Sequence, residues 1–212
     1  MTTIYLVRHG RTDWNKEQVF RGRADRPLDE VGHEQGRKVA DALISKNVQA
    51  IYTSPLIRAV DTAKPLADKL GLTMQVMDGL NDMDFGDWQG LPVDEAKEKY
   101  PSEFSKWVNT PYQARIPGGE NLGDIADRAE QALVEICKSP GIERAVVATH
   151  RVVVKVLLCR IVKAGEEGFW AFKVDPGSIC EVQFDPPKSV VNSVNYTDHM
   201  IGIKGLDPMP DF

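Results

Sequence analysis

The chain has 212 residues, a formal net charge of −5 at pH 7 and an ordinary apolar content of 42%. This length suits one α/β domain with a sizeable core, since such domains often reach about 200–250 residues. The acidic balance argues against a nucleic-acid or membrane-surface partner, and three widely spaced cysteines without a C-x-x-C motif favour reduced thiols and a cytoplasmic protein.

The first predicted element is a buried strand that ends in a charged residue and an imidazole. Ile4–Val7 is a short, partly β-branched apolar run, and it stops at Arg8 and His9. Gly10 then lets the backbone turn sharply. The carboxyl edge of an open α/β sheet is where such folds bind ligands, so a cation and an imidazole are predicted at that edge. The alternative is a strand that simply ends in solvated polar residues.

Strands and helices then alternate along most of the chain, which predicts βαβ units and a mostly parallel sheet. The further predicted strands are 50–53, 73–77, 145–149, 178–184 and 190–196. The predicted long helices are 30–46, 55–71, 122–138 and 152–162. Asp29 is predicted to cap the first helix, Pro55 to open the second in its first turn, and Gly71 to end it.

Residues 82–117 break this alternation. They contain four prolines and two short predicted helices at 93–100 and 102–108. We interpret this segment as an excursion that caps the site within one domain of residues 1–212. The last dozen residues are predicted to form a loose tail. We expect neither a signal peptide nor a membrane span, because the chain enters a strand at once and the longest apolar run is short and interrupted by charges.

A second apolar run ends in a histidine at 145–150, and four further short motifs accompany it. In chain order the motifs are Leu6-Val7-Arg8-His9-Gly10, Tyr52-Thr53-Ser54-Pro55-Leu56-Ile57-Arg58-Ala59, Phe85-Gly86-Asp87-Trp88-Gln89-Gly90, Pro117-Gly118-Gly119-Glu120 and Thr149-His150. Each motif is weak alone, but together they cover nearly the whole chain and resemble the phosphoglycerate-mutase-like branch of the histidine phosphatase superfamily. The resemblance implies a mostly parallel sheet flanked by helices in a three-layer sandwich.

Two arginines and two histidines carry the predicted chemistry. Arginine matches phosphate oxygens bidentately and keeps its charge, so Arg8 and Arg58 are predicted to bind the phosphoryl group. A neutral imidazole is a competent nucleophile near pH 7. The resemblance assigns the phosphorylated position to His9. It assigns a hydrogen bond to the phosphoryl oxygens to the second histidine, His150, which is therefore both a catalytic and a phosphate-binding candidate.

Three residues of the loop after the first strand complete the predicted site. Asn15 is an uncharged donor expected to bind phosphate, and Arg21 and Gly22 match the family position beside bound substrate. The sequence has no H-x-x-x-H, no Cys/His cluster and no P-loop. We therefore expect neither a metal nor a cofactor.

Three positions depart from the family pattern. Asp82 stands where the family has the glutamate that protonates the leaving group, and its side chain is shorter by about 1.5 Å. We expect it to act as the acid; the alternative is that it only supports Arg58 or a histidine.

Arg151 replaces a usual glycine, and Arg21 replaces a small or amide residue. Either both face the pocket and favour a polyanionic substrate, or Arg151 faces solvent. We favour the second, since only its backbone N–H is needed at a helix N-terminus.

The resemblance leaves three functions open. We expect a metal-independent phosphomonoesterase that uses a phosphohistidine on a small-molecule phosphate ester, with a homodimer as a candidate assembly. A cofactor-dependent phosphoglycerate mutase is the alternative. It is disfavoured because Val108 and Asn109, not an arginine pair, follow Trp107, and because no insertion precedes Pro117. A non-catalytic phosphate-binding module is the third, motivated by the departures at positions 82 and 151.

Overall fold

The computed structural model describes residues 1–15 and 17–206. Six strands in these residues form one sheet in the order β3-β2-β4-β1-β5-β6. The strands are β1 (Thr2–Arg8), β2 (Ala50–Thr53), β3 (Met74–Val76), β4 (Arg144–Thr149), β5 (Ile179–Phe184) and β6 (Val190–Tyr196). The first four are parallel, while β5 pairs antiparallel with β1 and with β6. The predicted, mostly parallel sheet is confirmed.

Helices cover both faces of this sheet. They are α1 (Glu30–Leu43), α2 (Ile57–Leu70), α3 (Val93–Lys99), α4 (Pro101–Asn109), α5 (Leu122–Lys138) and α6 (Arg151–Val162). The apolar sides of α1 and α2 share one core with Tyr5 and Val7 of β1. Those of α5 and α6 share the other core with Ile4 and Leu6. Because successive residues of a strand point to opposite faces, a strand buried on both sides is apolar throughout, as the predicted three-layer sandwich requires.

The helix termini follow the predicted signals, with one exception. The side chain of Asp29 accepts the Gly32 N–H at 2.8 Å and caps α1, and Gly71 ends α2 in the left-handed region with φ +65°. The prediction that Pro55 opens α2 in its first turn is wrong. Leu56 is extended, with ψ 136°, and the helix begins only at Ile57, whose N–H is capped by the loop carboxylate of Asp25.

A close backbone approach at Gly32 fixes α1 against the loop that follows β1. A Cβ at this position would lie 2.1 Å from the carbonyl oxygen of Arg11 and 2.9 Å from its nitrogen. Neither backbone atom can rotate away. We therefore expect Gly32→Ala to lower the free energy of unfolding by about 1–3 kcal/mol, the usual cost of overpacking.

Urea denaturation of this variant measures that cost. Exposed His33 on the same helix provides the control, since His33→Ala should change stability by less than about 0.5 kcal/mol. In a helix interior without a clash, alanine is more stable than glycine by about 1 kcal/mol. A stabilised Gly32→Ala protein would therefore contradict the close approach.

Residues 82–117 pack their aromatic side chains against the loop between β1 and α1. The Phe20 ring centroid lies 5.1 Å from that of Phe85 and 4.9 Å from that of Trp88, which is fully buried. Backbone hydrogen bonds join Phe20 to Gly90 and Leu91. The segment thus holds the loop that carries Arg21 and Gly22. Its role as a cap, and the single-domain organisation, stay predictions.

The structure bears on the predicted tail, on the cysteines and on the expected absence of a membrane span. Of the predicted tail, 207–212 lie outside the described residues, while the carbonyl of Gly205 accepts a hydrogen bond from Arg11 at 2.6 Å. All three cysteines are free, and Cys159 and Cys180 are buried. None of the helices in the described part of the chain combines the length and the apolar character that crossing a bilayer takes.

Candidate active site

His9 lies at the carboxyl edge of the sheet, directly after β1, and it is buried. Its Nδ1 lies 2.7 Å from the carbonyl oxygen of Gly10. A carbonyl oxygen can only accept, so Nδ1 carries the ring proton and Nε2 keeps its lone pair. The Gly10 N–H donates to the hydroxyl of Thr62 at 2.8 Å, which holds the turn in place. The fold therefore presents the tautomer that a nucleophilic Nε2 requires.

His150 lies beside His9 because the strands that carry them are parallel neighbours. The two ring centroids are 5.3 Å apart, and the His9 N–H donates to the carbonyl of Thr149. His150 is fully buried, with Nε2 2.7 Å from the hydroxyl of Ser54 and Nδ1 3.4 Å from a carboxylate oxygen of Asp82. The pairing of the two histidines agrees with the sequence prediction.

Both imidazoles are electrically neutral at physiological pH. Burial lowers the pKa of His9 well below its ordinary value of 6.5, and the positive charge of Arg58 lowers it further. The pKa of His150 is lowered well below 6.5 by the same two causes, in the same order. A nucleophilic nitrogen must be unprotonated, so this electrostatic environment keeps His9 competent at pH 7 and at lower pH.

A single pocket collects most of the predicted site residues. Its described lining includes Arg8, His9, Asn15, Arg21, Gly22, Asp82 and Arg151. The remaining wall is largely apolar and comes from the 18–20 loop, Phe85, Val93 and Val152. Within the described residues, no three histidine, cysteine or acidic side chains gather as a potential metal site.

Arg58 and Asp82 form a buried ion pair behind the pocket wall. One guanidinium nitrogen of Arg58 lies 2.8 Å from a carboxylate oxygen of Asp82 and 2.7 Å from the carbonyl of Gly22; the other donates to the carbonyl of Ala24 at 2.8 Å. Asp82 therefore contacts both Arg58 and His150, as its supporting role would require, and it also lines the pocket, as an acid must. Its role as the acid stays a prediction.

Replacing Arg58 with lysine is expected to lower kcat/KM by at least tenfold, about 1.4 kcal/mol of transition-state stabilisation. A single ammonium group cannot reproduce the planar fork that grips Asp82 and two carbonyls at once. Steady-state hydrolysis of p-nitrophenyl phosphate measures the loss. Arg115→Lys is the matched control, because Arg115 also binds carbonyls but is exposed. Unchanged kinetics in Arg58→Lys would place Arg58 outside the site.

Asn15 lines the pocket with its amide already oriented. Its side-chain oxygen accepts from the backbone N–H of Thr12 at 2.8 Å and from the Thr12 hydroxyl at 2.9 Å. Because the oxygen is used, the NH₂ group is the part of the amide that remains to donate. This arrangement suits the predicted contact with a phosphate oxygen.

Arg21 and Arg151 both lie at the pocket, so the favoured interpretation that Arg151 faces solvent is wrong. Arg151 is the first residue of α6, directly after buried His150, and this position carries it to the rim together with Val152. Arg21 donates to the carbonyl of Trp14 at 2.9 Å. Burial lowers the pKa of Arg21 to about 10, and the charge of Arg151 contributes to this shift.

Arg128 and Glu120 form a support that the sequence did not reveal. Arg128 on α5 donates to the carbonyls of Gly79, Asn81 and Asp82 at 2.7–3.0 Å, and it pairs bidentately with Glu120 at 2.9 and 3.0 Å. Together they hold the backbone that carries the Asp82 carboxylate. In the sequence, only the Pro-Gly-Gly-Glu motif indicated this support, since an arginine in an amphipathic helix is usually a solvated surface residue.

Comparison with known proteins agrees with this geometry. The family described as "Histidine phosphatase superfamily (branch 1)" matches residues 4–197. Phosphoserine phosphatase 1 of Hydrogenobacter thermophilus is 31% identical, with 94% of this chain and 95% of that protein covered. The metal-independent phosphoserine phosphatase of Arabidopsis thaliana is 33% identical over 96% of this chain and 85% of its own length.

A solved structure gives the same answer for the fold. YhfR of Bacillus stearothermophilus superposes with a TM-score of 0.89 at 28% identity, covering 94% of this chain and all of that one. The chain belongs to the histidine phosphatase superfamily, as the five motifs predicted. It is a phosphomonoester hydrolase.

Proposed function

We propose that this phosphatase transfers the phosphoryl group of its substrate to Nε2 of His9 and then to water. In the first step the N–P bond forms while the bond from phosphorus to the leaving oxygen breaks. In the second step water attacks phosphorus and the N–P bond breaks, which regenerates the free imidazole. The hydrogen bond from Nδ1 to the Gly10 carbonyl carries this proposal, because it leaves Nε2 with the lone pair.

The neighbouring residues take complementary roles in this scheme. Arg8, Arg58 and Asn15 bind the phosphoryl oxygens and balance their charge in the transition state. His150, neutral and packed against His9, donates a ring hydrogen to the same oxygens. The carboxyl group of Asp82 gives its proton to the leaving oxygen in the first step and takes one from the attacking water in the second. The pocket lining supports the assignments of Arg8, Asn15 and Asp82. Arg58 and His150 lie behind this lining, and both contact Asp82.

Phosphoserine is the substrate that we propose among small phosphate esters. Two relatives that align over nearly the whole chain are named phosphoserine phosphatases. Phosphoserine is compact and carries a carboxylate, which suits a pocket whose rim holds Arg21 and Arg151. A cytoplasmic location and a homodimer stay predictions, the first resting on free cysteines.

A panel of phosphomonoesters tests the function. We expect the pure protein to release phosphate from phosphoserine faster than from sugar phosphates, with the rate unchanged by EDTA. Complete loss in EDTA that is reversed by added metal would contradict the mechanism. Interconversion of the two phosphoglycerates that depends on 2,3-bisphosphoglycerate would indicate a mutase. Phosphate binding without any release would indicate the binding module.

A further inference from the structure

Four arginines lie in or behind the pocket wall, and two of them differ from the other two in burial and in contacts. Arg8 and Arg58 are buried and surround His9, whose pKa both of them lower. Arg21 and Arg151 are half-buried, and they act on one another, since the charge of Arg151 lowers the pKa of Arg21. The pocket thus has a buried cationic end at the nucleophile and a second cationic position nearer to solvent.

Apolar side chains make up much of the wall in the same pocket. Phe20, Phe85 and Val152 contribute to it. Asp82 is the carboxylate among the described lining residues, and it is already paired with Arg58. These apolar side chains accommodate the short carbon skeleton of a metabolite, and the neutral amides in the lining are those of Asn15 and Gln18.

Two guanidinium groups that line one half-buried rim raise the positive potential there, and this potential attracts an anionic group of a substrate. Each arginine presents a planar set of donors that matches carboxylate and phosphate oxygens. A substrate whose phosphoryl group reaches His9 extends outwards past the apolar wall to this rim.

We propose that Arg21 and Arg151 form a second anion-binding site at the rim, which selects phosphate esters that carry a second anionic group. This inference rests on the proposed function for the placement of the phosphoryl group at His9. The second group is a carboxylate or a second phosphate, since either one fits the guanidinium donors. Arg21 and Arg151 then determine specificity, while Arg8 and Arg58 serve every phosphate ester.

Two pairs of matched substrates separate these roles. Phosphoserine and phosphoethanolamine differ only in the carboxylate, and 1,3-propanediol bisphosphate differs from 3-hydroxypropyl phosphate only in the second phosphate. We expect Arg21→Gln and Arg151→Gln each to lower kcat/KM for the doubly anionic member about tenfold or more, mainly through KM. The singly anionic member should change by less than about threefold. Comparing the two pairs tells a carboxylate from a phosphate preference.

Conservative and double variants distinguish binding from structure. Arg21→Lys keeps the charge and should retain most of the preference for the doubly anionic substrate. If Arg21 only supported the structure through the Trp14 carbonyl, Arg21→Lys would lower kcat/KM for both substrates alike. If both arginines bind the same anion, the fold-decrease in kcat/KM of the double variant should be smaller than the product of the two single fold-decreases. Arg37→Gln, at an exposed residue of α1, is the control and should change nothing.

Calorimetry on the His9→Ala protein makes the test independent of turnover. We expect phosphoserine to bind this protein about tenfold or more tightly than phosphoethanolamine, with the difference removed by Arg151→Gln. Equal binding of the two ligands, or equal losses for both members of each pair, would overturn the second site. If hydrolysis is absent but this difference in binding is present, the proposed function fails and the anion site stands.

Discussion

Replacing His9 with alanine is expected to reduce hydrolysis by about 10⁴-fold or more and to abolish labelling of the protein by substrate. The imidazole is the nucleophile in the proposed mechanism, so its removal should eliminate the covalent step and leave water to attack directly. Acid-labile phosphate on the quenched protein measures the intermediate, with phosphoserine labelled at phosphorus as the donor. The wild type should carry label that acid releases, as a phosphoramidate does.

His33→Ala is the matched control for this experiment. His33 is exposed on α1 and is expected to leave both labelling and turnover unchanged. A fully labelled His9→Ala protein would exclude His9 as the nucleophile. The neutral state of His9 adds a second expectation, because its pKa lies well below 6.5. Protonation of His9 should therefore reduce the activity only at a pH below the ordinary titration range of histidine.

Replacing Asp82 with asparagine is expected to slow hydrolysis of phosphoserine by about 10²–10⁴-fold, the usual contribution of general acid catalysis. The loss should be much smaller for p-nitrophenyl phosphate, since its leaving group departs without a proton. The two substrates share the phosphoryl contacts and differ in the leaving group. The ratio of their kcat values therefore isolates the proton transfer.

Three further variants complete the test of the acid. Asp82→Glu restores the reach of the family glutamate and should raise kcat for phosphoserine relative to kcat for p-nitrophenyl phosphate, because misplacing a reacting group by about 1 Å costs on the order of a hundredfold. Asp84→Asn is the control, since Asp84 follows in the same loop and accepts the Gly86 N–H. Arg58→Lys changes the ion-pair partner and should affect both substrates alike. Equal slowing of both substrates in Asp82→Asn would restrict Asp82 to supporting Arg58 and His150.

The sequence by itself determined the sheet, its flanking helices and the meeting of the two histidines. Apolar runs of β1 and β4 signal strands buried on both faces, and parallel strands present their carboxyl ends at one edge. His9 and His150 each follow such a strand, so their proximity needs only that β1 and β4 be neighbours. Such patterns involve only consecutive residues, so they can be recognised without knowledge of distant contacts.

Only the tertiary structure decided how side chains from distant segments meet around that edge. Asp82 contacts both Arg58 and His150, and Arg128 holds its backbone from α5. The start of α2 depends on a carboxylate from the loop of Asp25. Arg151 lies at the pocket rim although a helix N-terminus needs nothing from its side chain. The direction of such a side chain is set by the packing of elements far apart in sequence, which no local periodicity records.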